Sequence, residues 1–200
     1  MVLPDSIFSL HGWCPKEKGE KLYEIVKGMN PKLVVELGVF GGRSFIPMAL
    51  GLKDAAKGGH AKIVGVDPWS KTASTEFYDP NDPNYVWWSK LDHEHIFKCF
   101  LDSLKTYKVD TISHYIRKTS SECVDTFEDE SIEVLHQDAN HSEHTSCEEV
   151  EIYTPKVKHG GIWIMDDTDW ATTTKAQSLL IRKGFELTED HTSWKVYKKL

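Results

Sequence analysis

The chain has no apolar run long enough to cross a bilayer, no long basic run and no C-x-x-C pair, and each absence removes a class of protein. Without a membrane-length segment, and with an N-terminus (Met1-Val2-Leu3-Pro4-Asp5) that lacks the basic and apolar regions of a signal peptide, a cytoplasmic location is expected. Cys14, Cys99, Cys123 and Cys147 are scattered, which points to reduced thiols rather than a disulfide framework or a cysteine zinc site. A net charge of −7 with no basic stretch offers a phosphate backbone little to bind, so nucleic acid is not an expected partner, and neither is a membrane. What is present is ordinary for a globular protein: 200 residues, 40% of them hydrophobic, suffice for one large core. No repeat, low-complexity segment or domain boundary interrupts them, so 1–200 reads as a single domain, compatible with a homo-oligomer.

Against that background, Val34-Val35-Glu36-Leu37-Gly38-Val39-Phe40-Gly41-Gly42-Arg43-Ser44 reads as a buried strand, a glycine turn and the start of a helix. Glycines let backbone approach a ligand with no Cβ in the way, and the free N–H groups of a helix start face it. About twenty residues on, Lys62-Ile63-Val64-Gly65-Val66-Asp67 is a second apolar run ending in a carboxylate, a group suited to the two hydroxyls of a ribose. The pair indicates a doubly wound α/β protein with an adenosine-containing ligand at the carboxyl ends of its strands. A dinucleotide fingerprint needs a second glycine where Phe40 stands, so a pyrophosphate would meet that side chain. Glu36 instead completes E-x-G-x-x-G-G, which resembles the first motif of the class I S-adenosylmethionine-dependent methyltransferases. That cofactor carries no phosphate. The resemblance implies cofactor contacts from Glu36, Gly38, Gly41, Gly42, Ser44, Asp67, Trp69, Ser120 and Asp138, with an acidic residue near the turn suiting the ammonium of the methionine end.

Along the chain, Cys14-Pro15-Lys16-Glu17 opens a helix with Leu22, Ile25 and Val26 as its apolar stripe, within an N-terminal helical segment 1–30. Pro47 belongs in the first turn of the helix after the glycines, which therefore is expected to begin near Gly42 or Arg43. Residues 68–88 form a long irregular stretch, expected as a lid or substrate loop, followed by a helix bearing Ile96, Phe97, Phe100, Leu101 and Leu104. Strands are expected over Val109–Ile116, Ile132–Gln137 and Gly160–Met165, with a short helix at Ser120–Phe127 and helices at about Glu143–Tyr153 and Ala176–Lys183. Phe185–Thr188 and Trp194–Tyr197 read as a closing antiparallel pair.

This alternation is similar over nearly the whole chain to the seven-stranded methyltransferase sheet, whose order 3-2-1-4-5-7-6 has its last strand antiparallel and helices on both faces. The family order puts strands four and five side by side, so Asp138 is expected beside Asp166 and Asp167, three oxygen donors suited to Mg²⁺, Ca²⁺ or Mn²⁺. The cluster resembles the metal site of catechol O-methyltransferase. D-x-x-H after strand four with D-D after strand five looks more like the macrocin-type sugar O-methyltransferases, a resemblance that implies His141 as the base. G-W-C near the N-terminus, D-P-W-S and D-x-N-H with G-G-x-x-x-x-D-D are shared with small bacterial and viral methyltransferase-domain proteins, and in part with cephalosporin hydroxylase-like proteins. The expected chemistry is methylation of a small-molecule hydroxyl, the metal favouring the oxyanion and His141, titrating near neutrality, taking the proton.

Other residues have plainer readings. His136 is expected as a hydrogen-bonded buried side chain, His93 and His95 diverge on a helix, and His141 with His144 and Asp138 forms a weaker zinc-like alternative; the remaining histidines read as surface residues. Trp69, Tyr78, Tyr85, Trp87, Trp88 and Trp170 either line a pocket for a flat or sugar-like acceptor or pack their loops onto the domain. Arg43 meets an anionic group of a substrate or pairs with a surface acid. Two other functions stay open: a hydroxylase-like metalloenzyme on the same fold, against which the lack of a two-histidine-one-carboxylate triad speaks, and a non-catalytic nucleoside-binding or interaction protein.

Overall fold

The fold is described from a computed structural model, for residues 2–55 and 61–200; His60, one of the expected surface histidines, lies outside them. The strands are β1 (Leu33–Leu37), β2 (Lys62–Val66), β3 (Ser113–Ile116), β4 (Ile132–Gln137), β5 (Val157–Asp166), β6 (Phe185–Asp190) and β7 (Trp194–Lys199). The helices are α1 (Lys16–Met29), α2 (Phe45–Ala55), α3 (Lys71–Thr75), α4 (Pro83–Trp88), α5 (His93–Thr106), α6 (Ser120–Cys123), α7 (Glu143–Tyr153) and α8 (Thr174–Arg182). The described residues form a seven-stranded sheet of order β3-β2-β1-β4-β5-β7-β6. Strands β1 to β5 pair in parallel, and β7 runs antiparallel to both β5 and β6.

Alternate residues of the central strands feed two cores. Val34, Ile63, Val134 and Ile164 pack with Leu22, Val26, Phe45 and Phe100 on one face, while Val35, Val64, Leu135 and Trp163 pack with Val150, Tyr153 and Leu180 on the other. Each such side chain taken from water stabilises the fold by roughly 1.5–3 kcal/mol. The registers Leu37↔Val66, Leu37↔Gln137 and Gln137↔Met165 bring the strand ends level. Gly38, Asp67, Asp138 and Asp166 consequently share one edge of the sheet.

Several boundaries differ from the sequence reading, the starts of β3, β5 and α2 among them. The third strand begins at Ser113 rather than Val109, because Val109 closes a backbone turn in which Ile112 N donates to its carbonyl at 3.2 Å. The fifth strand begins at Val157, earlier than Gly160, since its first residues pair with Ile132. Helix α2 starts at Phe45, not at Gly42 or Arg43: Phe40 (φ 50°) and Gly42 (φ 86°) are left-handed, and Gly42 N donates to Val39 O at 2.9 Å in a tight turn. Pro47 still falls within the first turn. The stretch 68–88 is less irregular than expected, holding α3 and α4, the latter opened by Asp82, whose side chain accepts from Asn84 N.

Candidate active site

A cavity of about 600 Å³ opens at the carboxyl ends of the parallel strands. Gly38, Ser44, Asp67, Ser120 and Asp138 line it, together with Asp166, Asp167 and His141, so the glycine turn and the acidic cluster share one space. At Gly38 (φ 84°) a Cβ would lie 2.0 Å from the Asp138 carbonyl oxygen, which is why only glycine lets β1 and β4 approach there. Asp67 holds the turn in shape. Its Oδ2 accepts from Val39 N (3.0 Å) and Phe40 N (2.8 Å), and its Oδ1 from Trp69 N (2.6 Å). Burial raises the Asp67 carboxyl while these three N–H groups pull it back down.

Other members of the expected cofactor set face protein instead. Glu36 is fully buried within β1, and its Oε1 lies 2.7 Å from His136 Nδ1. Burial pushes Glu36 well above its ordinary range and His136 down to about 3, and the two side chains meet across the strand pair within the core. Gly41 and Gly42 admit neighbours: a Cβ would meet His11 at 2.5 Å in the first and the Phe100 ring at 2.8 Å in the second. Trp69 stacks on Phe100 (5.5 Å), and its Nε1 donates to Phe40 O at 2.8 Å, which makes it a core residue. Arg43 borders the cavity but spends its Nε on the Leu10 carbonyl (2.8 Å), tying down the N-terminal segment. Tyr78, Trp87, Trp88 and Trp170 line the cavity, and Tyr85 does not.

The acidic cluster divides in a way the resemblance did not imply. Asp166 is paired with Lys18 of α1, a lysine only 4% exposed, while His141 Nε2 lies 2.8 Å from Asp167 Oδ2 and 3.5 Å from Asp138 Oδ1. Donor atoms of Asp138, His141 and Asp167 fall within 4.8 Å of one another, as do those of His136, Asp138 and Asp166. Among the described residues, however, the three carboxylates expected around one metal do not form one such group. A divalent ion would displace either the ammonium from Asp166 or the imidazole from its two acids, so the expected metal set does not fit this arrangement. His144 stacks on Phe77 (4.0 Å) and is absent from both groups, which removes the zinc-like alternative.

The electrostatics also revise His141. Burial alone would lower its pKa, but the Asp138 and Asp167 carboxylates raise it to about 10, so it does not titrate near neutrality. Burial and the Asp166 carboxylate lift Asp138 to about 7. Lys18 is held above its ordinary value by Asp166 and Asp138 despite burial, and Asp166 is drawn down to about 2 by Lys18 despite its own burial. Because the folded-state pKa of His141 is raised from 6.5 to about 10, its contribution to stability is fully present below about pH 6.5 and is lost as pH rises through about 10. NMR titration of the His141 ring is expected to give a midpoint near 10, moved down in Asp167→Asn; a midpoint of 6.5 in the native protein would refute the clamp.

Three residues escaped the sequence reading. Lys18 sits four residues before Leu22 on the buried stripe of α1, and a cation on an apolar stripe is the signal that marks it. Trp13, 63% exposed, stacks on Phe40 (5.6 Å) at the cavity wall. Glu149 of α7 lines the cavity while 1% exposed, its Oε1 without a partner and its pKa raised to about 7 by burial.

This sheet order, with one antiparallel strand at β7 and a ligand-sized cavity over the β1 turn, defines the class I methyltransferase architecture. A profile of the family described as Methyltransferase domain matches residues 35–168, and the chain belongs to that family. Protein y4gI of Sinorhizobium fredii (strain NBRC 101917 / NGR234) is 25% identical over 147 residues, 72% of this chain. The chain spans only 14% of that protein's length. A methyltransferase from Geobacter sulfurreducens has a TM-score of 0.65 at 12% identity, covering 100% of this chain and 92% of that one. The O-methyltransferase TomG from Streptomyces achromogenes, in complex with SAM, gives 0.61 at 11% identity, with 97% of this chain and 83% of TomG covered. The O-methyltransferase from Bacillus cereus, in complex with SAH, gives 0.62 at 11% identity, covering 97% and 84%. At these identities the structural likeness concerns the fold. No helix among the described residues is long and apolar enough to cross a membrane.

Proposed function

We propose that the protein transfers the methyl group of S-adenosylmethionine to a hydroxyl oxygen of a small acceptor. The observation that carries this reading is one cavity joining the Gly38 turn, Asp67 and Ser120 to the Asp138, His141, Asp166 and Asp167 cluster. A nucleoside end and a proton-handling end in one cavity are what methyl transfer to oxygen requires. The SAM and SAH held by the two O-methyltransferases named above support the choice of cofactor.

When bound, S-adenosylmethionine supplies a methyl carbon on a positively charged sulfur. Asp67 and Ser120 are proposed to hold its adenosine, and Gly38 with Ser44 its methionine end. The His141 imidazole, clasped by Asp138 and Asp167, manages the acceptor's proton. Since His141 is protonated at neutral pH, its basic form grows toward alkaline pH, and turnover is expected to climb as pH approaches about 10. Positioning of acceptor and cofactor along one line supplies much of the rate. We read 1–200 as one methyltransferase unit in which 68–88 covers the cavity, anchored by Asn140 Nδ2 donating to Ala73 O (3.2 Å) and Glu76 O (3.0 Å).

Calorimetric titration with S-adenosylmethionine and S-adenosylhomocysteine tests the reading. Saturable binding of both is expected; no heat from either at high ligand concentration would sink it.

A further inference from the structure

Lys18 lines the cavity, and the methyl-transfer reading gives its ammonium no task. It reaches from α1 across 148 positions of sequence to Asp166, and both side chains border the cavity beside Asp138. A buried ion pair gains little stability over apolar residues of the same size, because desolvating two charges offsets most of their attraction. Leu22 and Val26 already hold the same helix against the core, so anchoring α1 does not call for an ammonium. Its position at the end of β5 is where the family resemblance expected a divalent ion.

We propose that the Lys18 ammonium, in place of a metal ion, is the cation that receives the acceptor oxygen during methyl transfer. The proposal rests on the methyl-transfer reading above. In the step it serves, the acceptor O–H proton passes to the group formed by Asp138, His141 and Asp167. The oxygen lone pair forms the new C–O bond, the C–S bond breaks, and its electron pair stays on sulfur, which becomes a neutral thioether. Asp166 holds the ammonium in place and competes with the acceptor for it.

The acceptor class follows from the strength of this cation. A catalytic divalent ion lowers the pKa of bound water from about 15.7 to about 7. A neighbouring unit charge lowers a pKa by about 1–3 units, enough for a phenol near 10 but not for a sugar hydroxyl. The acceptor is therefore an aryl hydroxyl, and the aromatic walls contributed by Trp13, Trp87 and Trp170 suit a flat ring.

The test uses 4-nitrophenol, which has a coloured phenolate and no second hydroxyl to chelate a metal, added to the S-adenosylhomocysteine complex in EDTA. Native protein is expected to shift the probe's ionisation to lower pH, and Lys18→Met to move it back up by about 1–2 units, with S-adenosylhomocysteine affinity by calorimetry unaltered. Lys18→Arg keeps most of the shift. Asp166→Asn frees the ammonium and moves the ionisation lower still, whereas a purely structural ion pair would make Lys18→Met and Asp166→Asn act alike; this second variant also decides the matter should Lys18→Met not fold. A shift equal in native and Lys18→Met protein, no shift in native protein, or one that appears only with added Mn²⁺ overturns the proposal. Failure of the native protein to bind S-adenosylhomocysteine before any probe is added defeats the methyl-transfer reading, and the role of Lys18 with it.

Discussion

Gly38→Ala is expected to lower stability by about 4 kcal/mol, the range of severe core overpacking. Its Cβ would stand 2.0 Å from the Asp138 carbonyl oxygen and 2.6 Å from Ala139 Cα, and both obstacles are backbone. Relief requires β4 to part from β1 at the point where Asp138 N donates to Leu37 O at 2.8 Å. For a chain of this size such a loss corresponds to a fall in Tm of roughly 8–16 °C. Gly184→Ala is the control: it shares a positive φ (90°) but meets nothing within 4 Å, so only the left-handed backbone cost of about 1–2 kcal/mol remains. Thermal denaturation of the two variants side by side decides it. Equal, small losses would mean that the β1 turn has room the structure does not show.

Asp67→Ala is expected to weaken S-adenosylmethionine binding at least about 100-fold, roughly the worth of two charged hydrogen bonds. Two causes add. The proposed ribose contacts disappear, and the N–H groups of Val39, Phe40 and Trp69 lose their acceptor, releasing a turn that holds Phe40 at φ 50°. Asp67→Asn keeps one side-chain oxygen as an acceptor and is expected to fall between the native protein and the alanine variant. Calorimetry with the cofactor, alongside circular dichroism to establish folding, gives the answer; a folded Asp67→Ala protein with native affinity would remove Asp67 from the cofactor site.

Lys18→Met and Gly38→Ala probe two walls of one cavity, and the sequence exposed these residues unequally. Gly38 and Asp67 were legible because each sits at the end of a short apolar run, and the end of a parallel strand is where a doubly wound sheet presents ligand-binding groups. The bounds of β4 and α7 agreed with the sequence reading, the second a helix entered by Ser142, whose side chain accepts from Thr145 N. The surroundings of Glu36 were not legible, for a physical reason. In a central strand buried on both faces no polar alternation tells which residues face a neighbour, and Glu36 turned out to face His136 on the adjacent strand. Gly41, Gly42 and Trp69 lie beside a ligand turn in sequence, yet their contacts are with His11 and Phe100, which no local pattern announces.

Local periodicity and turn chemistry act over a few residues, and they suffice for the succession of strands and helices, the glycine turn, the acid after β2 and the acids after β4 and β5. How those acids are shared depends on contacts between distant segments. Packing α1 against the sheet brings Lys18 to Asp166, and the joined ends of β4 and β5 close Asp138 and Asp167 around His141. Charges buried together take each other as partners, and which charges meet is set by long-range packing that no stretch of neighbouring residues encodes.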